Sequence, residues 1–161
     1  MVSSILYLSG TVDLTLDDKF RLTMPTRYRK ILEEECDGQC VLTLSLFDKC
    51  LWLYPKVTWD ELLASLSSVK NFGNPKLRAL KRVILGSSVS FKTDAQGRFL
   101  VPKNLRDFAS FSKNVTLVGI QNKFELWDKE LYNAQMQQDL ETLEDLSDLV
   151  DQIPNLDTLN I

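Results

Sequence analysis

Histidine is absent from the 161-residue sequence. The commonest general base, the usual partner in a hydrolytic triad and the commonest metal ligand are therefore all missing. Cysteine is scarce: Cys36, Cys40 and Cys50 are an odd number, and too few for a zinc site without histidine. A mixed Cys/Asp site stands at this level against three free buried thiols, and Cys50 reads as a small packing residue in Cys50-Leu51-Trp52-Leu53-Tyr54. Gly and Pro number six and five, which excludes collagen-like and low-complexity chains. No apolar run approaches the roughly 18 residues of a membrane span. Met1–Gly10 has neither the positive flank nor the cleavage site of a secretory leader. These absences predict a cytoplasmic chain with no catalytic set, no metal, no cofactor, no membrane partner and no small-molecule substrate.

What remains is ordinary globular material, 44% hydrophobic and 25% charged, and enough of it to bury one core. The charge is unevenly placed. Within a net charge of −3, residues 1–127 hold 18 basic and 13 acidic side chains, whereas residues 128–161 hold Lys129 against nine acids. A body of +5 with a tail of −8 fits an anionic partner for the body, or a solvated acidic helix beside scattered charge.

The chain repeats itself. Asp17, Arg21, Pro25 and Arg29 recur as Asp94, Arg98, Pro102 and Arg106, every pair at the same offset along the sequence. Upstream of the two Asp residues lie the alternating runs Val12/Leu14/Leu16 and Val89/Phe91, the pattern of half-buried strands. Asp94-Ala95-Gln96-Gly97 is a turn, with Asp bonding its own backbone and Gly97 supplying positive φ. Pro25 and Pro102 suit the first turn of a helix, and Tyr28/Ile31/Leu32 and Leu105/Phe108/Ala109 follow at helical spacing. Val41–Phe47 with Cys50–Tyr54, and Val115–Ile120 with Lys123–Trp127, complete each copy as a hairpin.

Between the copies, Thr58-Trp59-Asp60-Glu61 reads as a capping box ahead of the stripe Trp59, Leu62, Leu63, Leu66 and Val69. A second helix is predicted from Pro75 to about Leu85, stopped by Gly86, with Lys76, Arg78, Lys81 and Arg82 on a polar face. After Trp127, helical spacing runs from Leu131 to Val150, and the last dozen residues are expected to fray.

With Asp-x-x-x-Arg-x-x-x-Pro present twice between strands, the chain resembles the MraZ family of bacterial transcriptional regulators. The likeness covers about residues 8–150. It is carried by Pro25-Thr26-Arg27-Tyr28-Arg29, Leu53-Tyr54-Pro55, Leu85-Gly86, Asp94-x-x-Gly97-Arg98 and Val118-Gly119…Asn122-Lys123-Phe124-Glu125-Leu126-Trp127. It implies an α+β fold of tandem duplicated AbrB-like (swapped-hairpin) β-barrel units with peripheral helices. The units would be residues 8–56 and 87–128, joined by helices in 57–86 and followed by an acidic helix and tail in 129–161. It also implies a ring-like homo-oligomer, associated with the nucleoid, that binds short direct repeats in double-stranded DNA upstream of a cell-division and cell-wall gene cluster. Arg21 and Arg98 would then belong to the DNA-contacting surface. The first copy departs from the family pattern, with Phe20 where Gly is usual. A β-carbon at positive φ is strained, which predicts a remodelled first turn and a stronger DNA contact from Arg98 than from Arg21.

The chemistry is consistent with that implication. Each copy is expected to offer its own short two-stranded ribbon, two per chain; such a ribbon enters the major groove, where Arg bonds guanine O6 and N7 bidentately. Lys19, Arg27, Arg29, Lys30, Lys103 and Arg106 are the candidates for phosphate. Asp17 and Asp94 take a structural part in the turns with Gly97. The competing reading is that Asp17–Arg21 and Asp94–Arg98 are ion pairs that merely pin their turns. At the level of the whole molecule, the alternative to a DNA-binding regulator is a non-catalytic protein–protein adaptor or structural ring.

Overall fold

In the computed structural model, which describes residues 3–70 and 73–156, the duplicated segments form equivalent sets of elements. The first copy consists of β1 (Leu8–Thr15), β2 (Arg21–Thr23), α1 (Thr26–Cys36), β3 (Gln39–Leu44) and β4 (Leu51–Pro55). Two helices follow, α2 (Lys56–Ser68) and α3 (Pro75–Ile84). The second copy consists of β5 (Val89–Lys92), β6 (Arg98–Leu100), α4 (Lys103–Phe108), β7 (Asn114–Gln121) and β8 (Lys123–Asp128). The architecture is α+β. The chain divides into two compact units, one up to Lys129 and one from Glu130 onward.

Strand partners cross between the copies. β1 pairs antiparallel with β7 along its whole length, from Leu8↔Gln121 to Thr15↔Asn114. Its counterpart β5 pairs with β3, with Val89 opposite Leu42. β4 and β8 meet in the middle, giving the order β1-β7-β8-β4-β3-β5. Read from either end, that order meets equivalent strands, so a pseudo-twofold axis passes between β4 and β8. The short strands β2 and β6 form a separate two-stranded ribbon with Leu22 opposite Phe99.

This corrects one expectation. The sequence pattern predicts that each turn joins a ribbon belonging to its own copy, two ribbons per chain. Instead the strands flanking each turn part, β1 to β7 and β2 to β6, and a single ribbon is shared. A three-residue strand has too little apolar surface to stand alone, and pairing with its twin buries Leu22 and Phe99 together. The core follows the same symmetry. Leu22, Met24, Tyr28 and Leu32 lie in one cluster with Phe99, Val101, Leu105 and Ala109, their equivalents in the second copy, and all eight are buried.

The helices differ in detail from the sequence reading. α2 begins at Lys56, directly after Pro55, and Thr58 lies buried inside it, so the capping box is not formed. Pro55, extended at φ −58° and ψ 144°, ends β4 and hands the chain straight to the helix, while Lys56 Nζ bonds Asp60 one turn on. The stripe narrows to buried Trp59, with Leu62, Leu63 and Leu66 half-buried and Val69 exposed. α3 is capped by Asn74, whose side chain accepts the N–H groups of Lys76 and Leu77. Pro25 and Pro102 stand one residue before α1 and α4, as cap residues.

The residues ahead of the repeat form a 3-10 turn, Ser4–Tyr7, beside α1. Ser3 Oγ and the Ser4 N–H donate to the Glu35 carboxylate at 2.8 and 3.1 Å, and Ile5 is buried. All three cysteines are free. Burial raises the Cys36 and Cys40 thiols above their ordinary range and pushes Cys50 up to about 12. In the second unit the predicted single helix is interrupted: α5 (Lys129–Thr142) ends and α6 (Ser147–Val150) begins anew. Asp145 Oδ1 accepts the Ser147 N–H at 2.9 Å, a local turn that competes with helix continuation. The predicted fraying reaches residues 157–161, which lie outside the described residues.

Candidate nucleic-acid interface

The two Asp-x-x-x-Arg turns share their backbone and Asp–Arg hydrogen bonds. In the first, the Asp17 N–H donates to the Arg21 carbonyl and the Phe20 N–H to the Asp17 carbonyl, both at 3.0 Å. Asp17 Oδ1 accepts the N–H groups of Lys19 and Arg21 at 2.9 Å, and Oδ2 accepts Arg21 Nε at 2.8 Å. In the second, Asp94 and Gly97 repeat the backbone bonds at 3.0 and 2.9 Å. Asp94 Oδ1 accepts from the Gln96 and Arg98 amides at 3.0 and 2.8 Å, and Oδ2 from Arg98 Nε at 2.8 Å. The Arg21 and Arg98 amides, joined by their guanidinium groups, hold the Asp17 and Asp94 carboxyls below the usual carboxylate range.

The expected remodelling of the first turn is therefore absent. Phe20 takes the left-handed conformation itself, at φ 61°, where Gly97 has φ 81°. The strain is offset from outside the turn. Arg106 lays its guanidinium over the Phe20 ring, 3.5 Å from the centroid. By the same symmetry Arg29 crosses to the other turn, where a β-carbon on Gly97 would stand 2.5 Å from Arg29 Cδ. Each turn is thus covered by the repeat's second arginine from the opposite copy. Both covering arginines keep Nε buried with no hydrogen-bond partner.

The ribbon then sets where Arg21 and Arg98 lie. Leu22 and Phe99 face the core, so alternation turns Arg21, Thr23, Arg98 and Leu100 to the opposite face. Arg21 pairs with Leu100 and Arg98 with Thr23, which makes the two arginines diagonal neighbours roughly 7–8 Å apart at the backbone. The guanidinium of each bonds Asp through Nε alone, so the Asp contact does not use the terminal nitrogens. Arg98 Nη2 is additionally held by Gln96 Oε1 at 3.1 Å, an anchor that Arg21, held through Nε, does not share.

The other candidates divide. Lys19 is exposed on the first turn, and Lys103 is exposed on α4 with its ammonium 2.7 Å from Asp107. Lys30 is exposed on α1. Arg27 is not brought to the ribbon: it binds the Tyr28 hydroxyl, and both contact the Ser9 carbonyl at the far end of β1 from the turn. Trp52, Tyr54, Phe124 and Trp127 are all buried in strands. Sequence reasoning missed the outward placement of Thr23 and Leu100, although buried Leu22 between Arg21 and Thr23 carried that signal. Among the described residues, no cluster of three or more Cys, Asp or Glu side chains is arranged to hold a metal, and no helix is long and apolar enough to cross a membrane.

A family model described as "MraZ protein, putative antitoxin-like" matches residues 7–83 and again residues 84–151. The chain is 40% identical over 152 residues to the transcriptional regulator MraZ of Pseudoalteromonas translucida (strain TAC 125), spanning 94% of this chain and 98% of that one. It is 37% identical over 147 residues to the proteins of the same name from Pseudomonas putida (strain GB-1) and Pseudomonas aeruginosa (strain LESB58), spanning 91% of this chain and 97% of each.

Proposed function

The chain belongs to the MraZ family, and from that premise we propose that it is a sequence-specific DNA-binding transcriptional regulator without catalytic activity. It acts in the cytoplasm, at the nucleoid, as a ring-like homo-oligomer on short direct repeats upstream of a cell-division and cell-wall gene cluster. The observation that carries this reading is the outward pair Arg21 and Arg98, each fixed through Nε by Asp17 or Asp94. An arginine fixed at Nε has less left to order when its terminal nitrogens meet guanine O6 and N7, although Arg98 must exchange its Nη2 bond to Gln96 Oε1 to do so. The ion pairs of the turns and the DNA contact are then successive uses of one guanidinium. Lys19, Lys103, Arg29 and Arg106 surround this face as phosphate contacts; Arg27, engaged elsewhere, is dropped from that set.

The exchange of strands between copies supports AbrB-like swapped-hairpin units closing a β-barrel core, with residues 8–56 and 87–128 as the two units, 57–86 as connecting helices and 129–161 as an acidic appendage. A body of only +5 beside a tail of −8 is little charge for tight binding by one chain. Several chains engaging repeats at once make later contacts intramolecular, which raises affinity by about 10²–10⁴. Head-to-tail assembly suits direct rather than inverted repeats.

The test is binding to the DNA upstream of the protein's own operon, carrying one or three repeats, over a salt series. The log of affinity should fall linearly with log salt. Three repeats at natural spacing should bind far better than one, and better than three spaced by half a helical turn more. Sedimentation should give a species above the dimer. An assembled protein that shifts none of these DNAs at low salt would turn the reading to a non-catalytic adaptor or ring.

A further inference from the structure

We propose that Phe20 is a specificity-determining residue of the interface, making an apolar contact with a thymine C5-methyl group next to the guanine taken by Arg21. This inference rests on the DNA-binding reading above and deepens it. The two turns share their backbone and Asp–Arg bonds, and at the position that takes positive φ the first has Phe20 where the second has Gly97. A bulky aromatic residue at φ 61° is a conformational outlier, and such strain concentrates at functional sites. Burial does not account for its presence here. The residue is 48% exposed.

The ring is nevertheless held in place. The Arg106 guanidinium covers one face at 3.5 Å, and Phe20 directly precedes Arg21 at the start of the ribbon. An aromatic wedge between base pairs needs both faces free to stack, and Arg106 occupies one of them. What remains is a single apolar face beside a guanine-reading arginine. In the major groove the one apolar feature that marks a base pair is the thymine methyl group. The second turn, with Gly97, offers no such surface. The two arginines therefore read unlike neighbourhoods, and the site bound by one chain is asymmetric about the ribbon's pseudo-twofold axis.

The experiment replaces each thymine of the operator in turn by deoxyuridine, which lacks only the methyl group, and compares the wild-type protein with Phe20→Gly. Glycine suits the left-handed conformation, as Gly97 shows in the matching turn, so the variant keeps the turn; sedimentation identical to wild type verifies the fold. The wild-type protein should lose about fourfold in affinity at one thymine per repeat, the scale of one buried methyl group. Phe20→Gly should bind the thymine and deoxyuridine DNAs equally, and Phe20→Leu should retain part of the discrimination. A wild-type protein that binds the operator but ignores every replacement, or that shares its profile with Phe20→Gly, overturns this inference and leaves the DNA reading intact. A wild-type protein that binds no operator at all overturns both.

Discussion

Leu22 and Phe99 face each other across the two-stranded ribbon and also occupy the same position of the repeat, one in each copy. The internal symmetry of the chain therefore runs through one pair of buried side chains. Both lie in the core cluster at 0% and 3% exposure, and Phe99 stacks on Phe91 at 4.7 Å.

Truncating either member should accordingly weaken both copies at once. Leu22→Ala should cost about 2–5 kcal/mol and Phe99→Ala about 3–5 kcal/mol in urea unfolding. A cost well below this range for both would mean that the ribbon is not packed as described.

Arg21→Ala and Arg98→Ala should reduce operator affinity by similar amounts, about 1–3 kcal/mol each. The sequence alone favours Arg98, on the ground that Phe20 distorts the first turn. The matched hydrogen bonds remove that ground, and the Gln96 contact leaves Arg98 slightly more engaged than Arg21. Titration of the two single variants on one operator decides it; a clearly larger loss at Arg98 than at Arg21 would restore the sequence-based expectation.

Gly97→Ala should destabilise the protein by about 1–3 kcal/mol in the same unfolding assay. The added carbon meets Arg29 at 2.5 Å on a backbone with φ 81°. Phe20→Ala already has a β-carbon accommodated there and loses only the ring's contact with Arg106, so its cost should be smaller. The reverse order would mean that the two turns are not covered by the opposite copy's arginines in the way described.

The turns should be acid-sensitive, and the sign follows from the lowered Asp17 and Asp94 carboxyls. Their contribution to stability is fully present above the ordinary value of 3.8 and is lost as pH falls through the lower folded value. Amide resonances of Arg21 and Arg98 should hold steady down to about pH 4 and then move together on further acidification. Asp17→Asn should abolish the movement at Arg21 and leave that at Arg98. Movement centred well above that range would assign it to another group.

Local features were the legible ones. The duplication, the turns and most strand positions rest on short-range alternation and on Asp, Gly and Pro at fixed offsets, which the backbone obeys in place. Partner choice was not legible, because a strand's alternation specifies its buried face and not its neighbour; hence the pattern implies two ribbons where β2 and β6 make one. The same non-locality hid the support of Phe20, which comes from Arg106 in the other copy, and the diversion of Arg27 to Tyr28 and Ser9. The capping box failed for a nearer reason: Pro55 begins the helix before Thr58 is reached.

The pairing of β1 with β7 also orders events in time. Leu8 and Gln121 are register partners, one at the start of the first copy and the other near the end of the second. At a synthesis rate of about 5–20 residues per second, Leu8 is made roughly 6–23 s before its partner exists. Through that interval the first repeat cannot complete its final pairing: β3 can join β4 at once, but it waits for β5 and β2 for β6, and β1 waits longest. Folding of this unit therefore waits for the second copy. Until β7 arrives, the first strand presents unpaired backbone and a half-apolar face, the state in which a nascent chain is most open to pairing with a neighbouring copy.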